Sequence, residues 1–141
     1  NSVTSIGYSA FSWCSGLTSI TIPNSVKYIG GYAFRGCSGL KSVTIGNGVT
    51  SIDYGAFEDC SGLKSVTIGN GVTSIDYGAF EDCSGLEKVY FKGSAEEWDK
   101  ISISSHNEAL NNAARYYYSE TKPTKSGNFW HYGEDGEFAE W

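Results

Sequence analysis

Residues 40–62 and 63–85 are the same 23-residue string, LKSVTIGNGVTSIDYGAFEDCSG, written twice without a change. The step between the copies recurs beyond them. Ala-Phe pairs fall at Ala10-Phe11, Ala33-Phe34, Ala56-Phe57 and Ala79-Phe80, and the cysteines at Cys14, Cys37, Cys60 and Cys83. Leu17, Leu40, Leu63 and Leu86 keep the same step, as do Val3, Val26, Val49 and Val72. A fixed period of about 20–30 residues marks a solenoid, in which each unit buries its apolar side chains only by stacking on its neighbours.

One unit reads LxSVTIxNxVxSIxxxAFxxCSG. Val43 and Ile45 alternate with Ser42 and Thr44, which predicts a short strand with one face buried. Gly46-Asn47-Gly48 is a turn, because glycine and asparagine accept positive φ. Val49 and Ile52 point inward along a second extended piece, and Tyr54–Phe57 brings the chain around as a single helical or 3₁₀ turn. Stacking at about 4.7–4.9 Å per coil makes each residue type a ladder of itself. Strands at 18–22, 41–45, 64–68 and 88–91 are expected to form one parallel sheet around a core of Phe11, Phe34, Phe57 and Phe80. Equal spacing gives the cysteines no CxxC cluster for zinc, and side chains that point the same way are poorly placed for disulfides. They are expected as small buried apolar residues at a turn.

The string LTSITIPNSVKYIGGYAFRGCSGL at 17–40 resembles the BspA-like, or treponemal-type, leucine-rich repeat, pattern LxxITIPxSVxxIGxxAFxxCxxL. The match runs over residues 1–91. Gly46 and Gly69 replace Pro23, and Asp53 and Asp76 replace Gly30, without disturbing the apolar positions. The resemblance implies a β-rich α/β fold: a right-handed leucine-rich-repeat solenoid with a parallel sheet. It also implies a secreted or surface-attached bacterial protein of a family associated with adhesion, with no catalytic residues to carry over.

Periodicity stops after residue 91, and an open solenoid end must be closed. Residues 92–118 are the expected α+β cap. Ser94 and Glu97 form a capping box that opens a helix over 95–101, Asn107–Leu110 is a second helical turn, and Ala114–Tyr118 is a final strand. The block resembles a GSxEEWxxI module that closes such arrays. Residues 119–127 read as a linker around Pro123. Phe129–Trp141 carries two aromatic runs about Asp135-Gly136, a hairpin signal; the hairpin is expected to fold back and pack on the cap or the solenoid flank, with an exposed cluster of Phe129, Trp130, His131, Tyr132 and Trp141 as the alternative. The domain reading is therefore a solenoid of about four coils at 1–91, the first of them partial, a cap at 92–118, and a linker with an aromatic hairpin at 119–141. The chain opens in mid-repeat and has no methionine, as expected of a trimmed or processed piece.

The net charge is −6, and no basic stripe is present to neutralise phosphates, which argues against a nucleic-acid partner. No apolar run is long enough to span a bilayer, so no membrane insertion is expected of this stretch. The two histidines, His106 and His131, lie outside the repeats, and no nucleophile elbow, HExxH, P-loop or GxGxxG occurs. Neither catalysis nor a cofactor is expected. The stacked acids Asp53, Asp76, Glu58, Glu81, Asp59 and Asp82 lack a calcium-loop pattern and read as a solvated face. Tyr8, Tyr54 and Tyr77 share one repeat position and are expected to shield the phenylalanines rather than to bind.

The candidate partner surface is the outward strand face, Ser42, Thr44, Ser65, Thr67, Lys88 and Tyr90, joined by Trp130 and Tyr132 of the tail. The leading expectation is an extracellular or cell-surface recognition module that binds a host matrix protein, a host cell-surface protein or other bacteria through its repeats. The alternatives are a carbohydrate-binding module using the terminal aromatics, with Trp130 as the platform, and a structural spacer. The chain is expected to be a monomer or a weak dimer through its uncapped N-terminal coil.

Overall fold

The computed structural model describes residues 2–141 as a β-solenoid of about five turns. Twelve short strands and two short helices follow in chain order. They are β1 (Ser5–Ile6), β2 (Ser19–Ile22), β3 (Tyr28–Ile29), β4 (Ser42–Ile45), β5 (Ser51–Ile52), β6 (Ser65–Ile68), β7 (Ser74–Ile75), β8 (Lys88–Phe91), α1 (Ala95–Trp98), β9 (Ser102–Ile103), α2 (Glu108–Asn112), β10 (Ala114–Tyr118), β11 (Phe129–Tyr132) and β12 (Phe138–Glu140).

Among the described residues the four expected strands pair in one parallel run, and the short extended pieces form a second sheet. The long strands form the order β12-β11-β10-β8-β6-β4-β2, and the two-residue strands form β1-β3-β5-β7-β9. The register is the sequence period itself: Val43 faces Val66, Thr44 faces Thr67, and Ile52 faces Ile75. The second extended piece of each repeat is thus hydrogen-bonded in its own right, because stacking at a fixed period pairs every extended segment with its copy.

The core lies between the sheets and the turns. Val43, Ile45, Val66, Ile68, Val89 and Phe91 point into it from the long sheet, and Ile29, Ile52 and Ile75 from the short one. Phe11, Phe34, Phe57 and Phe80 stack with centroids 5.3, 5.1 and 5.2 Å apart and planes within 12° of parallel. Phe34, Phe57 and Phe80 are fully buried, while Phe11 on the first coil is partly exposed. The thiols of Cys37, Cys60 and Cys83 donate to the carbonyls of Phe11, Phe34 and Phe57 at 3.2, 3.1 and 3.1 Å. All four cysteines are free, and Cys14 is exposed. Burial pushes the Cys60 thiol up to about 12 and raises those of Cys37 and Cys83 as well.

The segment around Phe57 is neither α nor 3₁₀. Ala56, Glu58 and Cys60 donate three residues back within their own coil, while Gly55, Phe57 and Asp59 donate to Tyr77, Ala79 and Glu81 of the next coil. The alternation requires left-handed residues at two repeat positions. One holds Ser9, Tyr32, Gly55 and Gly78, and the other Trp13, Gly36, Asp59 and Asp82, all with φ between 53° and 71°. A regular helix has no such residues, so the expected helical turn does not form.

The first helix is shorter than the capping box suggested, ending at Trp98 rather than 101. The N-cap half of the box is present: Glu97 N–H donates to Ser94 Oγ at 3.2 Å, while the Glu97 carboxylate accepts from the Ser94 hydroxyl at 3.5 Å. Beyond Trp98 the chain is drawn into β9, whose Ser102 and Ile103 pair with Ser74 and Ile75 of β7. Sheet continuation overrides helix propensity there. The 92–118 stretch carries both sheets forward, Ala114–Tyr118 forms the expected strand, and β11 of the following hairpin pairs in parallel with its end.

Candidate functional site

The 119–141 tail turns back over the outward face of the long sheet instead of standing off it. The β11 and β12 strands form an antiparallel hairpin. Trp130 lies beneath it, fully buried, its indole N–H donating to the Phe91 carbonyl at 2.9 Å. Its ring is surrounded by Phe138, Tyr118, Tyr132 and Tyr90 at centroid distances of 5.0, 5.1, 5.2 and 5.9 Å. The hairpin folds back and packs, which was the favoured expectation, and the alternative of Trp130 as an exposed platform is corrected. A large ring with one polar handle gains most by burial where that handle meets an acceptor, and the sheet supplies both.

The free end of the hairpin is tied down by charge. Glu140 accepts from Lys88 Nζ at 2.6 Å and from the Tyr90 hydroxyl at 2.8 Å. The hydrogen bond to Lys88 holds the Glu140 carboxyl below its ordinary range, and the same bond raises Lys88. Burial, then the bond to Glu140, pushes the Tyr90 phenol up to about 12. Lys88 and Tyr90, expected as partner contacts, are thus engaged inside the molecule. Lys92 sits over the rings of Tyr132 and Tyr118 at 5.2 and 5.8 Å, and Trp141 stacks on His131 at 3.8 Å.

The hairpin divides the outward face. Thr67 beneath it is only 4% exposed, Ser42, Thr44 and Ser65 are half-buried, and Ser19 and Thr21 on β2 are open. Between hairpin and sheet runs a trough with two lobes meeting at Tyr132. One, about 430 Å³, is lined by Thr21, Ser42, Thr44, Ser65, Thr67, Tyr132, Glu137 and Phe138. The other, about 310 Å³, adds Asn24, Asn47 and Lys92. Five of the eight candidate contact residues, Ser42, Thr44, Ser65, Thr67 and Tyr132, line this trough. The structure brings them together around a wall that sequence reasoning did not place.

A second surface follows the turns. Tyr8, Tyr54 and Tyr77 do not stack on one another, and Tyr32 stands between the first two, edge-on at 5.8 and 5.3 Å. Tyr54 and Tyr77 are 44% and 52% exposed. Arg35 lies over Tyr32 and Trp13 at 5.1 and 5.6 Å and pairs with Glu58 and Asp59 at 3.5 and 3.7 Å. At the other end His106 stacks near Tyr77 at 4.5 Å and meets Glu81 at 3.2 Å. Burial raises the carboxyls of Glu58 and Asp53, the latter with help from Asp76.

Sequence reasoning also missed Asn107. Its side chain is almost fully buried and stands in for a peptide of the next coil. Oδ1 accepts from Phe80 N–H at 2.9 Å, where Phe57 N–H finds the Ala79 carbonyl, and Nδ2 donates to the carbonyls of Asp76 and Ser104, each at 3.0 Å. The visible signal was that the period ends at Phe80 with one coil's donors still to be satisfied.

The model of the BspA type leucine rich repeat region matches residues 1–117 in six copies. The chain belongs to this family. Its fold resembles that of a T. pallidum leucine rich repeat protein, with TM-score 0.69 at 24% identity over 83% of this chain and 52% of that one. A leucine rich cell surface protein from Faecalibacterium prausnitzii is similar at 33% identity and TM-score 0.56, over 72% of this chain and 33% of its own. A leucine-rich repeat protein from Bacteroides capillosus is 32% identical with TM-score 0.56, over 64% of each chain. The chain spans about half the length of the T. pallidum protein. A comparison with curated proteins gives no match. Among the described residues no helix is long and apolar enough to cross a membrane.

Proposed function

We propose that this chain is a non-catalytic recognition module of a bacterial surface or secreted protein, binding a protein partner through its repeats. The observation that carries this reading is the exposure of Tyr54 and Tyr77. Both sit on interior coils, where neighbours on either side had the opportunity to cover them, yet each residue stays about half exposed. Tyrosine, tryptophan and arginine dominate the energetic centres of protein interfaces, and Tyr8, Trp13, Tyr32, Arg35, Tyr54 and Tyr77 supply all three along one flank. Membership of the BspA-type family and the likeness to a protein described as a cell surface protein support an extracellular setting. The partner is a matrix or surface protein of a host, or another bacterium. The chain acts as a monomer or as a weak dimer through the first coil, where Trp13, Phe11 and Cys14 are exposed.

The test is capture of the chain on immobilised matrix proteins and on whole cells, alongside the Tyr54→Ala/Tyr77→Ala double variant. At least one surface should capture the parent chain, with affinity falling more than about tenfold in the variant, since interface aromatics carry about 2 kcal/mol or more each. Equal capture of both chains would remove the tyrosine flank from the reading, and no capture at all would favour a spacer.

A further inference from the structure

We propose that the trough between the β11–β12 hairpin and the long sheet is a binding site for an uncharged oligosaccharide. It is separate from the tyrosine flank and shares no residue with it.

The floor is a hydroxyl ladder in strict register. Thr21, Thr44 and Thr67 face one another across β2, β4 and β6, at a spacing of about 4.8 Å per strand. Thr67 is the telling member. The residue is 4% exposed, lines both lobes, and its hydroxyl makes no hydrogen bond within the protein. The buried unpaired side-chain atoms among the described residues are on Ser25 and Arg35, so the Thr67 hydroxyl is not sealed off and is available to a ligand in the trough that it lines. One lobe adds an amide ladder. Asn24 Oδ1 accepts from Asn47 N–H at 2.8 Å and Asn47 Oδ1 from Asn70 N–H at 3.2 Å, which fixes the side chains and leaves the amide Nδ2 donors free.

The wall is aromatic. Tyr132 and Phe138 are each 41% exposed, with ring centroids 5.7 Å apart. Both pack against the buried Trp130, and Lys92 lies over the Tyr132 ring at 5.2 Å. Half-exposed rings locked by packing beside a row of fixed hydroxyl and amide groups match a pyranose, which offers an apolar C–H face on one side and hydroxyls around its edge. The ladder repeats along the coil axis, so successive sugar units would meet the same groups. Glu137 and Lys92 stand at opposite lobes, and the net charge of −6 opposes a polyanion. An added peptide strand is a poorer fit: a strand-adding ligand needs an open edge, which the long sheet offers at β2 at one end of the trough, whereas β4 and β6 along the rest of its floor are paired on both edges.

The experiment is titration of the full chain against panels of neutral gluco-, galacto- and manno-oligosaccharides, with proline-rich and mixed peptides as a separate arm. At least one glycan should bind. Thr67→Val, which keeps shape and removes only the unpaired hydroxyl, should weaken it several-fold without lowering the melting temperature. Phe138→Leu should weaken it about tenfold, and Tyr54→Ala should leave it unchanged. Silence across the glycan panels overturns the proposal, as does a glycan affinity indifferent to both Thr67→Val and Phe138→Leu. Binding of peptides alone overturns it too. None of these results bears on the protein-capture test above, which reads other residues.

Discussion

Asn107 shows how much one side chain does when a periodic structure has to end. Every interior Phe N–H donates to the following coil, and Phe80 has no following coil with a free carbonyl at that place. The carboxamide offers an acceptor and two donors in the geometry of a missing peptide group. Asn107→Ala should cost at least about 1–3 kcal/mol, the penalty for the orphaned Phe80 N–H alone, with the Asp76 and Ser104 carbonyls losing their donor as well. Asn107→Asp should not rescue, since it restores an acceptor but no donor and buries a charge. Denaturant unfolding of the two variants measures this. A change below about 0.5 kcal/mol in Asn107→Ala would mean that water replaces the amide without penalty. Left-handed backbone is the other residue-scale device. Trp13, Gly36, Asp59 and Asp82 share a conformation across three unlike side-chain types, so a turn position that glycine would suit is tolerated by whichever residue the stacking holds in place.

At the scale of an element, each ladder is a row of like groups, and its physics is collective. The Cys37, Cys60 and Cys83 row is buried, and desolvation favours the neutral thiol in the folded chain. Unfolded thiols titrate near about 8.5, whereas Cys60 is held to about 12. Between those values the unfolded chain has lost a proton that the folded chain keeps, so stability falls as pH rises. The contribution is complete below about 8.5 and is lost through the folded pKa. Melting temperature should therefore drop more steeply between pH 8 and 11 in the parent chain than in a Cys60→Ala/Cys83→Ala variant, whatever the variant's own baseline. Parallel slopes would show that tyrosine and lysine ionisation governs alkaline unfolding instead. The hairpin follows a different logic, because its hold on the sheet is built from unlike groups: a buried indole, a carboxylate between Lys88 and Tyr90, and a stacked His131–Trp141 pair.

The whole molecule is a one-dimensional stack with two different ends. Stability in such a stack is roughly a sum over coils and their interfaces. The identity of residues 40–62 and 63–85 offers a clean test of that sum. Deleting 63–85 brings β4 against β8 with Val43 opposite Val89, a pairing of the same kind as Val66 with Val89 in the intact chain. The shortened chain should keep its circular-dichroism signature per residue and unfold in one transition at a lower temperature. A disordered product would mean that the tail over the outward face needs the full set of coils beneath it, which would make hairpin and solenoid a single cooperative unit.

The sequence by itself determined everything that the period touches. Identical residues one repeat apart become equivalent when coils stack, so the Phe and Cys ladders, the long parallel sheet and its register were readable without coordinates. The short sheet of Ile29, Ile52 and Ile75 was half legible as an extended piece. Only the tertiary structure decided what lies outside the period. Trp130 reaches the Phe91 carbonyl across 39 residues, and Glu140 reaches Lys88 across 52. Contacts of that range leave no local pattern, because their partners are set by where the chain happens to return. The outward face therefore read as a flat hydroxyl surface, with Trp130 as its ring. In the folded molecule Trp130 is the anchor, Tyr132 and Phe138 are the wall, and Thr67 is the buried floor of a trough. The hydrophobic gain of covering an indole is independent of sequence separation, and that gain, not any repeat, placed the wall.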